Sequence, residues 1–129
     1  MSFKANMRYL LILFAIGLSA FSIASEDIGP KLIVKIKPEY PLEAFRNGIE
    51  GSVIVVFDIT QIGATENVKV FESTPSVVFD ANSVEAVKKW KFKPVVLKGE
   101  PVVFKNYTFK IDFSLQNGVV IEVPYRRFY

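Results

Sequence analysis

Residues 51–59 read Gly51-Ser52-Val53-Ile54-Val55-Val56-Phe57-Asp58-Ile59, and their pattern decides the fold. Val53, Val55, Phe57 and Ile59 fall on one face, with Ser52, Ile54, Val56 and Asp58 on the other, which is the two-residue period of a β-strand. Its middle is apolar on both faces, so the strand is expected at the centre of a sheet. Thr60-Gln61-Ile62-Gly63 follows as a turn, Gly63 supplying a positive φ angle. Thr65 to Ser73 is the returning strand, with Val68 and Val70 pointing inward.

Working outward, Pro75 ends this hairpin and the period changes. Ser83, Val84, Val87 and Trp90 are spaced as one face of a helix. Asp80 stands where an N-cap or first-turn acid belongs, Lys88, Lys89 and Lys91 gather at the other end, and Pro94 is expected to stop the helix. Beyond Gly99 and Pro101, residues 102–115 alternate again. Val103, Tyr107, Phe109, Ile111, Phe113 and Leu115 face one way; Asn106, Thr108, Lys110, Asp112 and Ser114 face the other, a long strand with a wet side. Asn117-Gly118 is a strong hairpin signal, with Val119 to Val123 the strand folding back, ended by Pro124.

Upstream, residues 25–37 read as an extended lead-in with room for a short edge strand. Pro41 opens a helix running to Asn47, Gly48 takes the left-handed cap, and Leu42 and Phe45 form the buried side beside Ala44. The domain reads as α+β, with segments 1–24 (leader), 25–37 (lead-in), 38–115 (domain) and 116–129 (C-terminal hairpin extension).

The 129 residues contain no Cys and no His, which removes disulfides, Cys nucleophiles, Ser-His triads and zinc fingers. A hydrophobic share of 50%, with 12 Phe, 5 Tyr and 1 Trp, is rich enough for a packed core. Residues 1–24 contain no acid; Lys4 and Arg8 precede an apolar run from Tyr9 to Phe21, and Ser22-Ile23-Ala24 supplies small residues before a cut. Cleavage is expected after Ala24, with Ser25 second. The competing arrangement is an uncleaved inner-membrane anchor, although Tyr9 to Ala24 spans about 24 Å of helix against a hydrocarbon core of about 30 Å. A lipid anchor is excluded, since no Cys follows the run. Without the leader the net charge falls from +3 to +1, which removes the charge argument for nucleic acid.

The order of landmarks carries a resemblance. Pro38-Glu39-Tyr40-Pro41, Ala44, Gly48-Ile49-Glu50-Gly51, Gly63, Pro75, Phe79-Asp80, Trp90-Lys91-Phe92-Lys93-Pro94, Gly99 and Pro101 follow one another with spacing that resembles the TonB C-terminal domain family, over about residues 35–115. The resemblance implies a three-stranded antiparallel sheet with two helices on one face, here with an added C-terminal hairpin strand. It implies a non-enzymatic module in the Gram-negative periplasm, without cofactor, metal or small-molecule substrate. Its partner would be the TonB-box peptide of an outer-membrane receptor or another periplasmic protein, with a homodimer as the alternative assembly.

The docking mode that the resemblance implies is β-augmentation on the open edge of the last strand, Val102 to Leu115, through backbone groups. The peptide-contacting stretch is then Val102, Val103, Phe104, Lys105, Asn106, Tyr107, Thr108, Phe109 and Lys110, supplemented by Lys37, Pro38 and Tyr40. In transducers of the family a Gln often precedes the Pro of the Tyr-Pro segment, where Lys37 stands here. Those transducers also carry a membrane helix with a motor-coupling His and a proline-rich spacer. The 25–37 lead-in spans under about 47 Å, so the expectation is a module that does not itself transduce a proton gradient. Val119 to Val123, if paired with the last strand, would occupy the edge that the peptide uses.

Each singled-out group has a competing structural role. Tyr40 can touch a receptor or lie as a lid on the core; Trp90 completes an apolar stripe and reads as core. Lys88, Lys89, Lys91, Lys93 and Lys98 can hold an anionic polymer such as cell-wall glycan or lipid headgroups, or simply complement a helix C-terminus. A structural module that self-associates or holds the cell wall is the alternative function. Tyr125 to Tyr129 reads as a partner anchor or a frayed terminus.

Overall fold

The computed structural model describes residues 26–122, so the expected leader and the Tyr125 to Tyr129 tip lie outside the described residues. In chain order the elements are β1 (Lys31–Val34), α1 (Leu42–Arg46), β2 (Gly51–Ile59), β3 (Thr65–Thr74), α2 (Asp80–Val87), β4 (Lys91–Lys93), β5 (Val95–Leu97), β6 (Glu100–Val102), β7 (Phe104–Ser114) and β8 (Gly118–Glu122). The main sheet is antiparallel with order β3-β2-β7-β8. β2 lies inside it, as its two apolar faces require. The C-terminal strand therefore makes the sheet four-stranded.

Alternation places Val53, Val55, Phe57 and Ile59 of β2 and Phe109, Ile111 and Phe113 of β7 on one face, all buried. Ala44 of α1, Val87 of α2, Phe79, Trp90 and Phe92 close the same core, so both helices cover that face. Phe79 stacks on Phe113 with ring centroids 4.3 Å apart, and Trp90 meets Phe109 edge-on at 5.1 Å. The approach of β2 to the Thr74-Pro75 corner is too close for a side chain: a Cβ on Gly51 would lie 2.1 Å from the Thr74 carbonyl oxygen.

Three expectations are corrected. α1 is only five residues long, starting from Pro41 as its N-cap and ending in a Schellman motif, with the Ile49 N–H on the Ala44 carbonyl at 2.8 Å and Gly48 at φ 67°. One turn of helix buries one residue, so Ala44 is buried while Leu42 and Phe45 are each 58% exposed. α2 ends at Val87 rather than near Pro94, because Phe92 is drawn into the core by the pairing of Lys91–Lys93 with β1. The long strand expected from Val102 to Leu115 is divided, since Val102 belongs to β6 and pairs with Val95. Asp80 lies in the first turn of α2, as expected of an acid there, but Phe79 is the N-cap and no side chain caps the helix.

Candidate functional site

The candidate edge is β7 and what lies beside it. β8 pairs with β7 through Lys110↔Glu122, Ile111↔Ile121, Asp112↔Val120, Phe113↔Val119 and Ser114↔Gly118. The hairpin turn is organised by the Ser114 hydroxyl, whose Oγ accepts the N–H groups of Gln116 and Asn117, each at 3.2 Å. Glu50 fixes its base by accepting the Leu115 N–H at 2.8 Å. The expected docking stretch and the β8-paired stretch therefore meet at Lys110.

The opposite half of β7 is shaped by one acid on the central strand. Asp58 is buried on the wet face of the sheet. Its Oδ1 accepts the Asn106 backbone N–H at 3.0 Å, and its Oδ2 accepts Asn67 Nδ2 at 2.9 Å and Lys105 Nζ at 3.3 Å. Asn67 and Asn106 both have positive φ, 52° and 56°. The register of β2 slips against β3 between Val56 and Asp58, and against β7 between Phe57 and Ile59. Asp58 thus ties down a bulge in each neighbouring strand. The amide of Asn67, then the Asn106 N–H, then Lys105 hold its carboxyl below the ordinary carboxylate value, against the opposing effect of burial.

The remaining expected site residues divide. Val103 and Lys105 are exposed, Phe104, Tyr107, Thr108 and Lys110 are half-buried, and Phe109 points into the core. Lys37 is exposed and Pro38 is buried; both line a cleft of about 140 Å³ between the lead-in and α2. Asn82 spans that cleft, donating from Nδ2 to the Glu39 carbonyl at 2.9 Å. Tyr40 acts as a lid: its ring meets Phe45, Phe79 and Phe113 edge-on, and its hydroxyl donates to the Ile49 carbonyl. Burial, and secondly the Glu50 carboxylate, raise its phenol above the ordinary value near 10. Trp90 is core, with Nε1 donating to the Ile36 carbonyl at 2.8 Å. Alternation alone places Asp58 on the face with Ser52, Ile54 and Val56 and misses its part in shaping β7. The available signal was an Asn at both bulges, the residue that tolerates positive φ best after Gly.

Among the described residues no cluster of acids is placed to hold a metal, and no helix is long and apolar enough to cross a membrane. The sequence profile described as the Gram-negative bacterial TonB protein C-terminal matches residues 36–115. The chain belongs to the TonB C-terminal family. It is 40% identical over 83 residues to "Protein TonB" of Yersinia enterocolitica, covering 63% of this chain and 32% of the relative. It is 39% identical over 99 residues to "Protein TonB" of Pseudomonas aeruginosa, covering 74% of this chain and 28% of the relative. The chain thus spans about a third of the length of the curated relatives it matches. Its fold is similar to the solution NMR structure of the Pseudomonas aeruginosa TonB C-terminal domain, with a TM-score of 0.57 and 32% identity, over 82% of this chain and 100% of that one. The family match stops at residue 115, so β8 lies beyond it.

Proposed function

We propose that the chain is a non-enzymatic protein-binding module of the Gram-negative periplasm that takes part in TonB-dependent transport across the outer membrane. It docks an extended peptide, the TonB box of an outer-membrane receptor, against β7. The peptide adds its own backbone ladder to the strand and competes with β8 for Lys110 to Ser114. Specificity then comes from alternate side chains, with Lys105 and the Lys37-Pro38 cleft at the margins.

The observation that carries this reading is the placement of β8. The shared family region ends with β7, and a short strand joined by a tight turn lies on the edge that follows. β8 meets β7 over only five residue pairs, and the backbone groups of that edge are a template for pairing with another extended chain. The Asn106 N–H is turned toward Asp58 on β2, the side of β7 away from β8, so the bulge it anchors shapes the strand without occupying the docking edge.

Calorimetric titration of a TonB-box peptide into the chain and into a form ending at Gln116 tests this. Removing the competitor raises the binding-competent fraction, so the shortened form is expected to bind about tenfold more tightly or more. Equal affinity would refute competition at this edge. A peptide-blind dimer in sedimentation would replace peptide docking with self-association.

A further inference from the structure

Lysines outside the β7 edge gather on one side of the domain. Antiparallel pairing of β1 with β4 sets Lys31 opposite Lys93 and Val34 opposite Lys91, while Leu32 and Phe92 pair inward on the core. Alternation along β4 therefore puts Lys91 and Lys93 on its outer face, with Lys31 opposite Lys93, and the register shift between Leu32 and Val34 brings Val34 opposite Lys91 on the same side. Lys35 and Lys37 continue the first segment, and Lys88 and Lys89 lead into the second; all are exposed. Among the described residues only Lys89 of this group has an ion pair, with Glu85 at 3.7 Å.

A helix dipole does not account for this arrangement. α2 ends at Val87, and the dipole's reach fades within its last turn, short of Lys91 and Lys93. Two like charges directly opposed across strands weaken the ribbon, so the Lys31↔Lys93 pair works against the fold. Sequence separates these two lysine runs by more than 50 positions, and only the ribbon brings them together.

The same surface carries aliphatic side chains in water. Ile33, Val34 and Ile36 are exposed between the lysines, and Ile62 is 83% exposed. Ile62 belongs to the turn before β3, which is held beside β4 by the Phe92 N–H on the Gly63 carbonyl at 2.8 Å. That contact is tight: a Cβ on Gly63 would lie 1.9 Å from the Phe92 carbonyl oxygen. The aromatic residues of the region, Trp90 and Phe92, are buried, which leaves no ring there on which a sugar could stack.

We propose that this face docks on an anionic lipid bilayer. The lysines meet headgroup phosphates, and the short aliphatic side chains enter the boundary between headgroups and acyl chains. An acidic protein would be served by the cations alone; exposed aliphatics interleaved with them are what a lipid surface adds. This docking is separate from the β7 edge, and either can fail without the other.

The test is co-sedimentation of the chain from Ser25 onward with vesicles of phosphatidylcholine, with and without phosphatidylglycerol. Among the described residues the buried core cluster runs from Ala44 to Phe113, and the similar Pseudomonas domain was solved by itself. Binding is expected only with phosphatidylglycerol and is expected to fall as salt rises. The triple variant Lys31→Gln/Lys91→Gln/Lys93→Gln is expected to bind about 100-fold more weakly, at about 1 kcal/mol per lysine. Removing the opposed charges is expected to leave its thermal stability unchanged or higher. Lys35→Gln/Lys88→Gln is a second variant that leaves the ribbon and the peptide cleft intact and also weakens binding, whereas Arg46→Gln/Lys69→Gln, away from the face, does not. The proposal is overturned if the chain ignores phosphatidylglycerol at low salt, if both vesicles bind it equally, or if the face variants bind like the parent. Capture by cell-wall sacculi or an acidic protein without vesicle binding overturns it as well.

Discussion

Asp58 Oδ1 accepts the backbone N–H of Asn106 at 3.0 Å, and through this bond the central strand dictates where the last strand of the family fold bends. The same carboxylate holds Asn67, so a single acid sets the register on both sides of β2. Replacing Asp58 by Ala strands a backbone N–H and a side-chain amide. The expected loss is about 2–4 kcal/mol of unfolding free energy, read by urea denaturation at neutral pH.

The acid should also leave a signature in pH. Its folded pKa is depressed, so its stabilisation is present above the unfolded value near 3.9 and is lost as pH falls through the folded value. The advantage of the parent over Asp58→Asn is therefore expected to be constant above about pH 5 and to shrink toward about pH 2. An advantage that stays the same across that range would show that the charge is not what holds the bulges.

Trp90 joins the core to the lead-in through its indole N–H on the Ile36 carbonyl. Trp90→Phe keeps an aromatic ring but loses volume and this bond, with an expected cost of about 2–4 kcal/mol. Hydrogen exchange is expected to rise most in β1 and at residues 35–37. A uniform rise over the whole domain would mean that the bond does not anchor the lead-in.

Ser83 is fully buried, and its hydroxyl has no hydrogen-bond partner among the described residues. Removing a buried hydroxyl without a partner relieves a desolvation cost. Ser83→Ala is expected to be neutral or to raise the melting temperature, measured by thermal unfolding; a drop would show that the hydroxyl has a partner in solution.

Tyr40→Phe separates lid from contact. The variant keeps the ring against Phe79 and Phe113 and loses only the bond to the Ile49 carbonyl, so about 1 kcal/mol of stability is expected to go. Peptide affinity is expected to stay the same, and a fall at equal stability would make the hydroxyl a receptor contact.

Legibility followed the strength of local pattern. Gly51 to Ile59 was readable to the residue because strict alternation begins at a Gly that no side chain could replace. Asn117-Gly118 marked the last hairpin, and β8 begins at Gly118. Residues 91–93 read as a helix end because Trp90 continues the helical spacing from Val87; pairing with β1, some 60 residues earlier, makes them a strand instead. Leu42 and Phe45 followed a helical rule that a five-residue helix is too short to obey. The division of β7 from β6 depends on the pairing of Val102 with Val95, and the bulge within β7 on a carboxylate across the sheet; neither leaves a periodic trace.

The central claim is that a peptide takes the place of β8 on β7. Amide hydrogen exchange on the chain with and without a TonB-box peptide tests it most directly, read separately for Lys110 to Ser114 and for Gly118 to Glu122. The account expects β7 amides to stay protected when peptide is bound while β8 amides lose protection. Protection retained in both strands at saturating peptide would contradict it.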